Sequence, residues 1–215
     1  MKKFAVILSG CGHLDGSEIH EAVMTLLAID RHKCTCTIFA PNEDQYHVMN
    51  HFTRKATDEK RNILVEAARI ARGEIKDVKE YQPENFDGLI IPGGYGAAKN
   101  LFTYAIEGVN AKVNPDIEAA IKATHQLKKP IGALCIAPVL LAKVLKEITI
   151  TVGSDTETVA NVERMGAHHI NTLVTEVISD KQNMIFSTPC YMLPATIADI
   201  ADSADNLIRV IIENI

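Results

Sequence analysis

"KKPIGALCIAPVLLAK", residues 128–143, is the stretch whose reading decides the fold. A short apolar run reaches Cys135, and a helix-like run with proline in its first turn begins at once. That pattern fits a parallel strand, buried on both faces, handing over to a helix. A nucleophile on such a turn stands clear of the sheet. The helix behind it aims free N–H groups and its positive dipole end at the side chain. A sharp turn needs small neighbours, and Gly132, Ala133 and Ala137 are small. Pro138 falls where a missing N–H costs nothing. The turn predicts a thiol shifted toward its reactive thiolate. The plain alternative is a small packed residue at a strand end.

The same alternation runs through the chain. "KKFAVILSG" (2–10), "KCTCTIFAP" (33–41), "FDGLII" (86–91) and "PIGALC" (130–135) read as strands. "EITITV" (147–152) is a weaker candidate, and "NTLVTEVIS" and "NMIFSTP" read as two more strands joined at "DKQN". Helices are predicted within 17–32, with Ile19, Val23, Leu26 and Leu27 as the apolar face, and over 58–73, closed by Gly73. Others follow over 115–129, 136–146, 155–166 and from residue 192 to the end, while 42–57 reads as polar and irregular. Strands alternating with helices imply an α/β protein with a mostly parallel sheet covered on both faces, as one domain over 1–215.

Composition narrows the functions. A net charge of −5, with charged residues only 23% of the chain, gives no electrostatic reason to seek nucleic acid or an anionic membrane. No apolar run approaches the roughly 18–20 residues of a membrane span. "MKKFAVILSGCG" is too short in its apolar part for a signal peptide and reads as a first strand. Five cysteines without paired spacing point to reduced thiols and a cytoplasmic setting.

In open α/β sheets ligands bind beyond the carboxyl ends of the strands. Three features sit at such ends: "SGCGHLDGSE", "PGGYG" and "LCIAP". If their strands are neighbours, all three converge on one crevice. The glycines of "PGGYG" can turn backbone N–H groups toward a ligand. A phosphate-binding loop is excluded, because Lys99 follows Ala98 rather than glycine and Asn100 replaces Ser/Thr. Gly10, Gly12 and Gly16 are spaced one residue too long for the dinucleotide fingerprint, and "FAPNED" lacks an acid at the strand tip. Glu18 reads either as the end of a capping box with Asp15 as N-cap, or as a carboxyl facing Cys135 that stays protonated and moves protons.

Glu18, "DGLIIPGG" and "IGALCIAP", in that order, resemble the ThiJ/PfpI superfamily of the class I glutamine amidotransferase-like fold. "SGCGHLDGSEIHEA", "PGGYGAAKNL" and "TPCYML" resemble its ElbB branch, also called sigma cross-reacting protein 27A-like, over essentially the whole chain. The resemblance implies a flavodoxin-like three-layer sandwich with a nucleophile elbow, a homodimer, no cofactor and no metal, in a branch associated with isoprenoid biosynthesis. It maps the nucleophile onto Cys135, the protonated acid onto Glu18 and the oxyanion N–H groups onto Gly94 and Ile136. It implies glyoxalase (lyase) activity, in which glyoxal or a related 2-oxoaldehyde plus water gives glycolate or lactate through a Cys135 hemithioacetal. A redox or stress sensor with an oxidisable Cys135, or a hydrolase or amidase of the same fold, are the alternatives.

The chain departs from the pattern in two places. Many members of the superfamily carry His after the cysteine, and here it is Ile136. No histidine follows His169, so the late His-x-Glu pair of glutaminase members is missing. His13, beside Glu18, is the candidate helper, with His168 and His169 in a turn leading to a strand. Cys11 could resolve an oxidised Cys135 or simply pack, and Cys190 could line the crevice. Cys34 and Cys36 read as strand packing. His47 and His51, four apart, would share a helix face as half a zinc site, or a solvated one.

Overall fold

A computed structural model describes residues 1–215. The framework is one seven-stranded sheet: β1 (Lys3–Ile7), β2 (Thr35–Ala40), β5 (Ile75–Asp77), β6 (Gly88–Ile91), β7 (Ile131–Leu134), β10 (Ile178–Asp180) and β11 (Ile185–Thr188). Its strand order is β10-β11-β7-β6-β1-β2-β5, and every neighbouring pair is parallel except β10–β11. Residues 4–8 are wholly buried because both faces of β1 are covered. Their side chains alternate: Ala5 and Ile7 enter one core with Leu89 and Ile91, while Phe4, Val6 and Leu8 enter the other with Ile90.

The first core is closed by α4 (Pro115–Gln126), α5 (Ala137–Leu145) and α6 (Thr156–Arg164). The second is closed by α1 (Ile19–Arg31), α2 (Ile63–Ile70) and α7 (Ile197–Ile212). The result is the flavodoxin-like three-layer arrangement. α7 shows why its sequence is helical. Ile200, Ala204, Leu207, Ile208 and Ile211 recur on one face and are buried, and Thr196 and Asp199 close a reciprocal capping box.

Several boundaries differ from the sequence reading. Residues 42–57 include a hairpin, β3 (Val48–Asn50) with β4 (Lys55–Thr57). The helix expected over 58–73 begins only after Asn62, whose side chain caps Val65 N–H, and ends before β5. The strand expected over 171–179 is interrupted by a turn, in which Leu173 N–H donates to the Glu176 carboxylate at 2.7 Å. Only Ile178–Asp180 joins the sheet. α7 starts five residues later than expected, because Leu193 is extended before Pro194 and Thr196 sets the cap. β8 (Thr149–Ile150) and β9 (His168–His169) form a separate two-stranded parallel pair.

Leu207 is fully buried where α7 packs on the sheet. Leu207→Ala is expected to lower the unfolding free energy by about 3 kcal/mol, read from urea denaturation.

Candidate active site

β7, β6 and β1 are adjacent, so the loops leaving their carboxyl ends meet. Cys135 follows β7 directly with φ +60°, a left-handed conformation that a non-glycine residue holds only under constraint. Its N–H donates to Thr188 O at 2.9 Å, pinning the turn to β11. Ile136 starts α5 without any side-chain cap, and its own N–H finds no acceptor in the chain. The elbow expected from the sequence is present. The side chain emerges on the floor of a cavity of about 1030 Å³ that Cys135, Ile136, Gly94, Glu18 and His13 all line.

The carboxyl paired with the thiol is that of Glu21, not Glu18. Glu21 is fully buried on the inward face of α1. A Cβ placed on Gly93 would lie 2.6 Å from Cys135 Cβ and 2.7 Å from Glu21 Oε2. Glycine there is what lets the two side chains come together. Gly93 N–H donates to Glu21 Oε2 at 3.1 Å, and Tyr191 N–H approaches Oε1 at 3.4 Å. Glu18 is instead the N-cap of α1, accepting from Glu21 N–H at 2.8 Å, so the Asp15–Glu18 capping box does not form. Its own N–H donates to Gly93 O, and its side chain stands on the cavity wall. Asp15 turns inward to accept from Met49 N–H at 2.6 Å.

Glu21 is not singled out in the sequence because the face of α1 expected to be buried, with Ile19, Val23 and Leu27, is not the face that Glu21 occupies. Ala22, Thr25, Ala28 and Ile29 are the buried residues alongside Glu21, while Ile19, Val23 and Leu27 are exposed. The smaller residues face inward because α1 packs closely on α7.

Burial also reverses the expected shift of the thiol. Desolvation pushes the Cys135 pKa well above its usual value, the negative charges of Glu21 and Cys190 add to the rise, and only Gly94 N–H, which bonds to the sulfur, opposes it. Burial raises Glu21 to about 8, with its hydrogen bonds to Cys135, Tyr191 and Gly93 opposing. Burial thus favours the protonated form of both groups, and the two titrate as a coupled pair.

The other candidates fall into place around this centre. His13 lines the cavity, edge-on to His51 at 5.2 Å between centroids, and burial lowers its pKa. It makes no hydrogen bond to Cys135. Cys11 does not line the cavity. Cys190 is wholly buried just beyond β11, in the same core as Cys135. Cys34 is buried in that core, and Cys36 packs against it. His47 and His51 lie around the β3 hairpin rather than on a helix, and no group of three or more His, Cys, Asp or Glu side chains is placed to hold a metal. His169 accepts from Val152 N–H on the small second sheet. Residues missed in the sequence complete the wall: His20 Nδ1 bonds the Tyr191 hydroxyl at 2.8 Å, and both line the cavity.

Asn100 ties the first loop to the turn after β6. It is buried in the π-helical turn Ala97–Leu101, where its amide donates to Ser9 O and Asp15 O, both at 2.9 Å, and accepts from Tyr46 N–H.

A doubly wound sheet with a cysteine on a strained strand–helix turn, paired with a buried carboxyl, defines an α/β protein of the cysteine-elbow class. The chain belongs to the DJ-1/PfpI family, whose model matches residues 12–199. It is 41% identical to "ES1 protein homolog, mitochondrial" of Rattus norvegicus, covering 98% of this chain and 83% of that one. It is also 41% identical to human "Glutamine amidotransferase-like class 1 domain-containing protein 3, mitochondrial", covering 98% and 82%. Among solved structures, an isoprenoid biosynthesis protein with an amidotransferase-like domain from Ehrlichia chaffeensis superposes with a TM-score of 0.93 at 38% identity, over 99% of this chain and 100% of that one.

Glu21 makes stability depend on pH in a definite sense. Its folded pKa of about 8 lies above its ordinary 4.5, so between those values the folded chain keeps a proton that the unfolded chain releases. The native state's advantage is full below about pH 4.5 and is lost as pH rises toward 8, by about 5 kcal/mol for this group. Glu21→Gln is expected to flatten that slope and to be the more stable protein at pH 8.5. Urea unfolding at pH 5 and pH 8.5 measures it.

Proposed function

We propose that this chain is a cofactor-independent glyoxalase that adds water to a 2-oxoaldehyde and rearranges it to a 2-hydroxy acid. Cys135 is the nucleophile, and Glu21 takes the acid–base role that the sequence reading gave to Glu18. The observation that carries the proposal is the meeting of the buried Glu21 carboxyl and the Cys135 thiol over Gly93, directly behind the cavity that Cys135 lines.

The steps balance on these groups. The Cys135 sulfur bonds to the aldehyde carbon, ionised Glu21 takes the thiol proton, and Glu21 passes it to the carbonyl oxygen, giving a hemithioacetal. Glu21 then removes the proton on that carbon as its electrons move toward the adjacent carbonyl, forming an enediolate. It returns that proton to the second carbon while the hydroxyl proton on the first carbon's oxygen passes to the second carbon's oxygen, leaving a thioester at the first carbon and a hydroxyl at the second. Water displaces Cys135, which leaves with a proton, and the product is the hydroxy acid. Gly94 N–H supports charge on sulfur, and Ile136 N–H, at the start of α5, supports charge on oxygen.

The alternatives are less well supported. A buried thiol with a raised pKa is a poor target for peroxide, which weighs against a sensor. Isoleucine at 136 leaves a hydrolase without an adjacent histidine. A reducing compartment suits five free cysteines, and cytoplasm is our assignment, although the two mammalian relatives carry "mitochondrial" in their names. No helix is long and apolar enough to cross a membrane.

We assign the exposed stripe Ile19, Val23 and Leu27 on α1 to a homodimer contact. Val23→Glu is then expected to give a monomer by light scattering, and an unchanged mass would remove the stripe from the interface.

Incubation with glyoxal or methylglyoxal is expected to yield glycolate or lactate by NMR, at a rate that rises from pH 6.5 to 8.5 as Glu21 ionises. Cys135→Ala is expected to abolish turnover, and Glu21→Gln to reduce it at least 100-fold, on the order of what a positioned acid–base group supplies. Full turnover in Cys135→Ala would overturn the proposal.

A further inference from the structure

The cavity is far larger than glyoxal or methylglyoxal. Its volume of about 1030 Å³ is at the upper end for sites that hold molecules of tens of atoms, roughly 300–1,000 Å³. The space runs from Cys135 and Glu18 on one side to the start of α6 on the other, where Asp155, Glu157 and Asn161 form the wall. Apart from the imidazoles of His13 and His20, its ionisable acid and base side chains are all of one sign. Glu18, Asp155 and Glu157 line it, and no lysine or arginine does. The nearby Lys99 ammonium is spent on Leu14 O at 3.1 Å and on the Tyr95 ring at 5.3 Å. The hydrogen bonds of Thr158 to Asp155 hold that carboxyl below its ordinary pKa, so it stays ionised. A concave site lined by one sign of charge concentrates ligands of the other and repels its own.

We propose that the physiological substrate is a cationic carbonyl compound: a 2-oxoaldehyde extended by a protonated amine, its carbonyl at Cys135 and its positive end against Asp155 and Glu157. This rests on the glyoxalase reading and adds the substrate's size and charge to it. Carboxylate- and phosphate-bearing aldehydes are excluded by the same wall. Tyr95, Tyr104 and Tyr191 also line the cavity, the Tyr95 ring already facing the Lys99 ammonium and the Tyr104 ring stacked on Phe102.

The test uses three methanethiosulfonates that differ in charge: trimethylammonioethyl, methyl and sulfonatoethyl. Each converts the Cys135 thiol to a mixed disulfide, with the sulfinate leaving, and modification of the Cys135 peptide is followed by mass spectrometry. Rates are normalised to the same reagents acting on a free small thiol. The cationic reagent is expected to react about tenfold faster than the anionic one at low salt. In Asp155→Asn/Glu157→Gln, where asparagine still caps α6, the ratio is expected to fall to about twofold. Equal normalised rates, or a ratio unchanged in the double variant, overturn the substrate charge and leave the glyoxalase reading standing. A Cys135 that reacts with none of the three overturns the nucleophile itself, and the charge proposal with it.

Discussion

The rest of the site depends on one contact: a carboxyl and a thiol, both cut off from water, brought together over a residue with no side chain. Neither group can carry its charge cheaply in that place. Burial favours a proton on each, and the two groups titrate together. The remaining architecture serves this pair. β7 and β6 run side by side so that Cys135 and Gly93 are neighbours, α1 is set close enough for Glu21 to reach across, and the bond to Thr188 keeps the elbow in its strained conformation.

Much of this was written plainly in the chain. Doubly buried strands announce themselves as unbroken apolar runs, so β1, β6 and β7 were legible, whereas their adjacency, which no single run contains, was not. The elbow was legible because strain demands small flanks and the sequence supplies them. The carboxyl beside the thiol was not legible. On α1 the larger apolar residues Ile19, Val23 and Leu27 face outward, and a pattern reading takes them for the core face. Small side chains were chosen for the interior because α7 lies near, a fact that no local window contains. The direction of the thiol shift was hidden for the same reason. A helix N-terminus can be read locally, but burial is a property of the assembled layers, and here it is the larger effect.

The short elements were lost to local competition. The Asn62 cap delays α2, the turn at Leu173–Glu176 cuts a strand that β-branched composition would allow, and Pro194 with Thr196 resets the start of α7. In each case a side chain offers a backbone group a partner outside the regular element.

Asn100 has a wider effect than its size suggests. Through one amide it ties the end of β1, the first loop and the segment at Tyr46 to the π-helical turn that carries the other side of the entrance. Those pieces, distant in the chain, behave mechanically as a single rim. An insertion or deletion in the first loop would displace the turn after β6 as well, so the lengths of the two must change in concert. The opposite wall, around Tyr104 and α6, is joined instead by the Asn161 amide donating to the Tyr104 hydroxyl, and a change there leaves the rim's own ties untouched.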